Sequence, residues 1–210
     1  MPLYKTLNNR SATKVYIWEI EESEAWLRTG IKLSKNSMER LLTMSSELHR
    51  RGFLSIRHLL CAAGYSDLDL YYSSEGKPFL RDGRHISITH SFTFTGIIIS
   101  DSPVGIDIEM QRDKIQRIAI KFIGFENAYL EKMEEKVRAL TVIWGAKESM
   151  YKLYGTRGLG FKENCSVNNF SLNEGYLICH LDYNSDHQKF DGYFCEMKGF
   201  TLVYILPFYG

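Results

Sequence analysis

Two acidic segments about forty residues apart carry the side chains that are best suited to chemistry. In the segment VGIDIE, apolar and acidic residues alternate, so a strand there would present Asp107 and Glu109 on one face. In the segment WGAKESMYK, Glu148 and Lys152 are four residues apart and would share one face of a helix. Three carboxylates beside a cation suit a hard metal ion such as Mg²⁺, and the sequence therefore indicates phosphoryl chemistry.

Each segment also has an ordinary structural interpretation. A Glu four residues before a Lys is typical of a surface ion pair on an exposed helix. Alternation of Ile with acidic residues is typical of a half-buried antiparallel strand. Neither segment identifies a site alone, so the prediction depends on their combination.

Composition limits the class of protein. The chain has 210 residues, 44% of them hydrophobic, which is enough for one large domain or two smaller halves. Its 26 basic and 25 acidic side chains give a net charge of +1, which disfavours nucleic acid or an anionic membrane as a partner. Because no signal-like or membrane-spanning apolar stretch is present, we expect a cytoplasmic protein. The four cysteines form no Cys-x-x-Cys pair, so we expect reduced thiols and no zinc module.

The pattern of apolar residues predicts a mixture of strands and helices. Strands are expected at residues 14–20, 68–72, 85–89, 94–100, 104–109, 176–181, 189–196 and 200–206, and helices at 37–63, 115–122 and 126–154. The strands at 94–100 and 104–109 are expected to form a hairpin. A strand, a long helix ending in Gly and further strands occur once in each half, which indicates an internal duplication.

Several common catalytic folds are excluded by their missing motifs. The chain has no P-loop sequence and no Gly-x-Ser-x-Gly elbow, and its clustered glycines follow a helix, with a spacing reversed from that of a dinucleotide fingerprint.

The two acidic segments, together with Gly76-Lys77-Pro78 and the sequence ISITHS that ends at Ser91, resemble the 4′-phosphopantetheinyl transferases. The likeness is to the larger, monomeric, surfactin-type class, and the four motifs occur in the family's order over more than half of the chain. The resemblance implies an α+β pseudodimer of two similar α/β halves, residues 1–102 and 103–210. Each half would have a long helix packed on a small, mostly antiparallel sheet. Coenzyme A would lie in the cleft between them, with its nucleotide contacted by the first half and the metal and catalytic residues supplied by the second.

The resemblance also implies an activity. The 4′-phosphopantetheine group of coenzyme A would pass to a serine of an apo acyl, peptidyl or aryl carrier protein, releasing adenosine 3′,5′-bisphosphate. The enzyme would depend on Mg²⁺, with Mn²⁺ as an alternative metal, and would act as a monomer. The sequence leaves open whether the carrier serves fatty acid, polyketide, pigment or peptide synthesis.

The catalytic roles follow from this likeness and from physical chemistry. Asp107, Glu109 and Glu148 would hold Mg²⁺, which neutralises charge on the bridging oxygen as the P–O bond breaks. Lys152 would place a positive charge on the phosphates. The base for the serine hydroxyl stays open between Glu148, a bound water and Glu126, which could instead be a charge favoured by a helix dipole.

The nucleotide contacts are predicted from three further positions. Lys77, in a turn between Gly and Pro, and His90, at a strand end, resemble the residues that grip the nucleotide and its 3′-phosphate. Thr89 stands where the family usually has Ser, and its hydroxyl can still donate a hydrogen bond to phosphate.

Basic helix residues are the other predicted contacts of the 3′-phosphate. Arg50 and Arg57 are seven residues apart, which is about two helical turns, so they would share a face. Arg51 is the alternative to Arg50, and solvated basic residues are the alternative to a phosphate site.

A carrier protein is acidic around its serine, so its docking surface should combine apolar and basic residues. Candidates are Lys114, Arg117, Lys121, Phe122 and Phe125. The alternative is an ordinary amphipathic helix with its basic residues outward and its Phe side chains in the core.

Two other functions remain open at this point. One is a non-catalytic module of the same fold that binds coenzyme A or a carrier protein, although three clustered carboxylates have little use there. The other is an unrelated Mg²⁺-dependent nuclease or phosphohydrolase, which the near-zero net charge disfavours.

Overall fold

The computed structural model describes residues 3–155 and 158–209 and divides into two compact units, Met1–Asp101 and Ser102–Gly210. Both units combine helices with antiparallel sheets. Within the described ranges, no helix is both long enough and apolar enough to cross a membrane.

The first unit packs one long helix on a four-stranded sheet. Its elements are β1 (Leu3–Arg10), β2 (Thr13–Glu19), α1 (Glu24–Leu27), α2 (Lys35–Thr43), α3 (Glu47–Ala62), β3 (Leu70–Tyr72), β4 (Pro78–Leu80), β5 (His85–Ser91) and β6 (Phe94–Ser100). The sheet has the order β1-β2-β6-β5, and β3 and β4 form a separate hairpin. Helix α3 packs across β2 and β6, burying Leu54, Leu59 and Leu60 in one core with Trp18 and Ile97.

The helix predicted at residues 37–63 is two helices, so that prediction was wrong. The backbone of Met44 is extended (ψ 113°), and Ser46 begins α3 as its N-cap residue with ψ 124°. The break is held by Arg50, whose guanidinium donates to the carbonyl oxygens of Met44 and Ser45 at 2.9 Å each.

The second unit repeats this plan with a five-stranded sheet. Its elements are β7 (Gly105–Met110), α4 (Lys114–Ile118), a 3-10 turn (Ala119–Lys121), α5 (Asn127–Leu130), α6 (Lys136–Tyr154), α7 (Phe161–Asn164), β8 (Cys165–Val167), β9 (Tyr176–Tyr183), β10 (Asp186–Met197) and β11 (Phe200–Pro207). The sheet has the order β7-β11-β10-β9-β8, and α6 packs on β7 and β11. Helix α6 ends as predicted at Gly155, whose φ of 73° favours glycine.

Two further predictions about local structure were wrong. Strands β6 and β7 do not form a hairpin, because β6 is paired on both edges with β2 and β5 while β7 pairs with β11. The helix predicted at residues 126–154 is α5 and α6, since the backbone of Glu135 lies outside the helical region (φ −93°, ψ 64°).

The two units share one chain order. In the first, β2 leads to α3 and then to the hairpin β5-β6; in the second, β7 leads to α6 and then to the hairpin β10-β11. In the first unit β6 pairs with β2, and in the second β11 pairs with β7. In each unit the long helix packs on these two strands. The predicted α+β fold with a long helix on an antiparallel sheet in each half is therefore confirmed, while a pseudodimer arising by duplication stays a prediction.

Candidate active site

Strand β7 and helix α6 bring Asp107 and Lys152 together. Asp107 pairs in the sheet with Val203, which lies in the core with α6, so this face of the sheet is turned toward the helix. The Lys152 ammonium donates to Asp107 Oδ1 at 2.7 Å and to the Ile106 carbonyl oxygen at 2.9 Å. Asp107 is only 5% exposed, so its ion pair with Lys152 is poorly solvated.

The same strand and helix also place Glu109 and Trp144 in contact. The Trp144 indole Nε1 donates to Glu109 Oε1 at 3.3 Å. A cavity of about 150 Å³ adjoins this pair and is lined also by Arg112 and Ile115. Glu109 therefore faces a space that a small group could enter.

Close packing of α6 against β7 and β11 explains two glycines. A β-carbon at Gly105 would overlap the carbonyl group of Ser149. A β-carbon at Gly145 would come within 2.7 Å of Val203 Cγ2 and 3.9 Å of Asp107 Oδ2. Gly145, which weakens the intrinsic helicity of α6, is thus required by the close approach of β11.

Burial and a neighbouring negative charge raise the pKa of two carboxyl groups in this cluster, Glu109 and Glu148. Burial and then the charge of Asp107 raise the pKa of Glu148 to about 7, with Lys152 opposing the shift and Glu109 adding to it. Burial and the Asp107 charge likewise raise the pKa of Glu109, opposed by the Trp144 hydrogen bond and by Lys152. In both acids the ionised form is thus opposed by the charge of Asp107 and favoured by that of Lys152.

The donor set fits Mg²⁺ in its chemistry, because three carboxylates offer hard oxygen ligands and a divalent cation would relieve their repulsion. Among the described residues, no group of three His, Cys, Asp or Glu side chains is arranged to bind a metal ion. Metal binding by Asp107, Glu109 and Glu148 stays a prediction.

Glu126, the other predicted acid, lies in the core of the second unit. Its carboxylate is within 2.8 Å of the Lys147 ammonium and accepts hydrogen bonds from the backbone N–H groups of Val167 and Gly124. No contact described for Glu126 joins it to Asp107, Glu109 or Glu148. These partners give it a structural role, and its part as a base or metal ligand stays a prediction.

A second cavity, of about 360 Å³, lies within the first unit and has a basic lining. It brings together two of the predicted nucleotide-binding residues, Arg57 and His90. The lining also contains Arg40, His49 and Tyr72, with the Arg40 guanidinium 5.5 Å from the centre of the Tyr72 ring.

The predicted arginines of α3 all have protein partners. Arg57 is buried, with its Nε 2.8 Å from Asp67 Oδ1 and its guanidinium 3.4 Å from the centre of the Phe53 ring. Arg50 forms an ion pair with Glu24 at 2.8 Å and holds the break between α2 and α3. Arg51 donates to the Ile20 carbonyl oxygen at 3.3 Å. Of the three, only Arg57 lines the cavity.

The remaining predicted nucleotide contacts lie at the edges of the first unit. Lys77 is in the turn of the β3-β4 hairpin, and partial burial lowers the pKa of its ammonium. Thr89 is buried, whereas its neighbour His90 is exposed, because successive side chains of β5 point to opposite faces.

Sequence reasoning missed Arg40 and His49. Nine residues separate them, so one continuous helix would turn them about 180° apart. The break at Met44 lets them line the same cavity. The serine pair at Ser45 and Ser46, a common helix start, was the signal that could have revealed it.

Comparison with known proteins found a family model, a curated relative and a solved structure that are similar to parts of this chain. Residues 103–198 match the family model of the 4′-phosphopantetheinyl transferase superfamily. A curated relative, 4′-phosphopantetheinyl transferase gsp of Aneurinibacillus migulanus, is 36% identical over 84 residues, covering 38% of this chain and 35% of the relative. The solved structure of Thermotoga maritima holo-[acyl-carrier-protein] synthase has a TM-score of 0.43 and 14% identity, covering 50% of this chain and 62% of that one.

The matched segment contains β7 and α6 and thus the whole acidic cluster with its lysine. Residues 103–198, slightly less than half of the chain, are thus similar to the 4′-phosphopantetheinyl transferase superfamily, the family that the motifs predicted. Its likeness to the gsp protein supports the predicted surfactin-type membership, although the chain matches only about a third of that relative's length.

Proposed function

We propose that this protein transfers the 4′-phosphopantetheine group of coenzyme A to a serine hydroxyl of an apo carrier protein, releasing adenosine 3′,5′-bisphosphate. The observation that carries the proposal is the ion pair between Lys152 and Asp107 beside Glu109 and Glu148, inside the segment that the family model matches. The match of residues 103–198 to the superfamily model supports the reaction class, and the residue roles are inferred from chemistry.

Each polar group of the cluster has a task in this reaction. Mg²⁺ held by Asp107, Glu109 and Glu148 would neutralise charge on the pyrophosphate of coenzyme A. Lys152, on the same face of α6 as Glu148, adds a fixed positive charge where water is scarce and charge is most effective. Glu148 is also proposed to accept the serine proton, directly or through a water, because the serine hydroxyl is a poor nucleophile until that proton is removed.

The basic cavity of the first unit is proposed to hold the nucleotide of coenzyme A. Arg40, Arg57, His49 and His90 offer donors for phosphate, and the Tyr72 ring offers an apolar face for a base. The other proposed nucleotide contacts do not line this cavity; they are Lys77, Thr89, Arg50 and Arg51.

The carrier protein is proposed to dock on the segment that links β7 to α5. Lys114, Arg117 and Lys121 are exposed, as are the apolar side chains of Ile120 and Phe125. This combination suits an acidic partner. Phe122 is fully buried, so its prediction as a surface residue was wrong, and it belongs to the core as the alternative interpretation had it.

Intact mass spectrometry tests the proposal. A panel of apo carrier proteins is incubated with the protein, coenzyme A and Mg²⁺, with and without EDTA. We expect a metal-dependent mass gain of one phosphopantetheine group, lost in Asp107→Ala and kept in Asp182→Ala, a matched loss of an exposed acid in the same unit. Coenzyme A binding with no mass gain on any carrier would contradict transfer and favour the non-catalytic binding module.

A further inference from the structure

The ion pair of Glu126 and Lys147 is the most enclosed pair of charges in the second unit. Both side chains are 0% exposed, and their charged atoms are 2.8 Å apart. The Lys147 ammonium also donates to the carbonyl oxygens of Phe122 at 2.7 Å and Phe161 at 3.1 Å. All three of its N–H groups are thereby used.

The carboxylate of Glu126 completes the network. Its Oε1 accepts from the Val167 backbone N–H at 2.9 Å, and its Oε2 accepts from the Gly124 N–H at 3.2 Å. The pair therefore ties α6 to the backbone on both sides of Ile123, as well as to α7 and β8.

Stability alone is a poor reason for this arrangement. A buried ion pair loses much of its attraction to desolvation, and apolar residues of similar volume often stabilise a fold as well or better. What apolar residues cannot supply is the set of hydrogen bonds to the carbonyl of Phe122 and the N–H of Gly124. The distinctive result of the pair is the fixed path of this short segment.

The segment held in this way presents apolar side chains to solvent. Ile120 is 74% exposed and Phe125 is 58% exposed, on either side of the buried Phe122 and Ile123. The segment has little helix of its own, because only Ile120 and Lys121 belong to a short 3-10 turn, Ala119–Lys121. Apart from the backbone hydrogen bonds of Phe122 and Ile123 to Ala119, the segment is held by the buried pair, whose Lys147 precedes Glu148 in the chain.

We propose that Glu126 and Lys147 are positioning residues that fix the segment Ile120–Phe125 in the shape that receives the carrier protein. They act through the backbone of Phe122 and Gly124 and do not touch the reacting atoms. This inference rests on the proposed transfer reaction for its partner, but the fixing of the segment is a property of the free protein. A surface that is ordered before docking binds more tightly because less freedom is lost on association.

Three variants separate positioning from stability. Lys147→Met removes both carbonyl contacts and leaves a buried carboxylate unpaired. The double variant Glu126→Gln/Lys147→Met removes both charges at similar volume, so it should recover folding stability without recovering the contacts. Glu126→Gln alone keeps the Lys147 contacts to Phe122 and Phe161. Leu177→Ala, a buried truncation on β9 of the same unit, controls for loss of stability.

Hydrogen exchange and steady-state kinetics are the two measurements. We expect faster amide exchange at residues 120–125 and an increase of about tenfold in the KM for the carrier in Lys147→Met and in the double variant, with the KM for coenzyme A unchanged. Glu126→Gln should show a smaller effect and Leu177→Ala neither. Unchanged exchange at residues 120–125 in the double variant would overturn the inference, as would an equal rise in both KM values. If the wild-type protein modifies no carrier, the proposed function fails, while exchange still decides whether the pair fixes the segment.

Discussion

A β-carbon at Gly105 would overlap the carbonyl oxygen of Ser149, so the first residue of β7 and the middle of α6 meet backbone to backbone. This contact sets how close the strand that carries Asp107 and Glu109 can come to the helix that carries Glu148 and Lys152. The candidate active site therefore depends on a residue that has no side chain.

Gly105→Ala should strongly destabilise the second unit. The added methyl group meets backbone and no flexible side chain, so β7 and α6 must move apart, and we expect a loss of about 3 kcal/mol in the free energy of unfolding. Urea denaturation measures it. Gly52→Ala, in α3, is the matched control, because the nearest atom outside the helix that its β-carbon would meet is His90 Cδ2, at 3.8 Å. Equal losses in the two variants would contradict the overlap.

Gly145→Ala tests the second close approach and allows a rescue. The β-carbon would lie 2.7 Å from Val203 Cγ2, so we expect a loss of about 1–3 kcal/mol in the free energy of unfolding. Truncating the partner in Gly145→Ala/Val203→Ala relieves the clash. The double variant should therefore lose less unfolding free energy than the two single variants lose together. Additive losses in thermal or urea unfolding would show that the two side chains do not compete for space.

Alternation and helical spacing predicted the strand β7 and most of the helix α6 because both patterns are local. β7 and α6 lie where the sequence places them, and the i, i+4 spacing of Glu148 and Lys152 puts both beside Asp107. Pairing between distant strands was not predictable in this way. The local sequence favoured a hairpin of β6 and β7, but β7 pairs with β11, which is near the other end of the chain. β1 was also missed, since its sequence LYKTLNNR has little apolar alternation.

Acid should destabilise the first unit through Asp67. Burial raises the pKa of this carboxyl, but the Ser34 N–H and the charge of Arg57 outweigh it, so its pKa lies below the usual 3.8. The stabilisation is therefore complete well above pH 3.8 and is lost as pH falls through that value toward the lower folded-state pKa. Asp67→Asn should unfold more easily than the wild type at pH 7, with the difference shrinking as pH falls below 4. Urea midpoints across this range measure it, and a constant difference would contradict the linkage.

Lys152→Met should remove most of the transfer activity. The substitution takes away the positive charge proposed for the phosphates and leaves Asp107 without its ion-pair partner, so we expect kcat to fall by about a hundredfold or more. Lys136→Met, an exposed lysine at the start of the same helix, is the control and should retain activity. A carrier-modification time course measures both. Similar rates for the two variants would place Lys152 outside the reaction.

Mg²⁺ should stabilise the free protein at pH 8, and Glu148→Gln should abolish that response. Ionising Glu148 costs folding free energy, because its folded-state pKa of about 7 lies above the usual 4.5; the cost appears as pH rises between these values and is complete at pH 8. In EDTA at pH 8 the variant should therefore be more stable than the wild type. Added Mg²⁺ should raise the unfolding free energy of the wild type alone, by about 2.7 kcal/mol at a hundred times its Kd.

Thermal unfolding with a Mg²⁺ titration measures both effects, and Asp182→Asn, which neutralises an exposed acid of the same unit, should respond like the wild type. If Glu148→Gln is less stable than the wild type in EDTA, the three carboxylates do not repel one another as inferred. If it gains as much from Mg²⁺ as the wild type does, the metal binds elsewhere. The stability difference in EDTA therefore tests the repulsion among the carboxylates, and the response to Mg²⁺ tests their role as ligands.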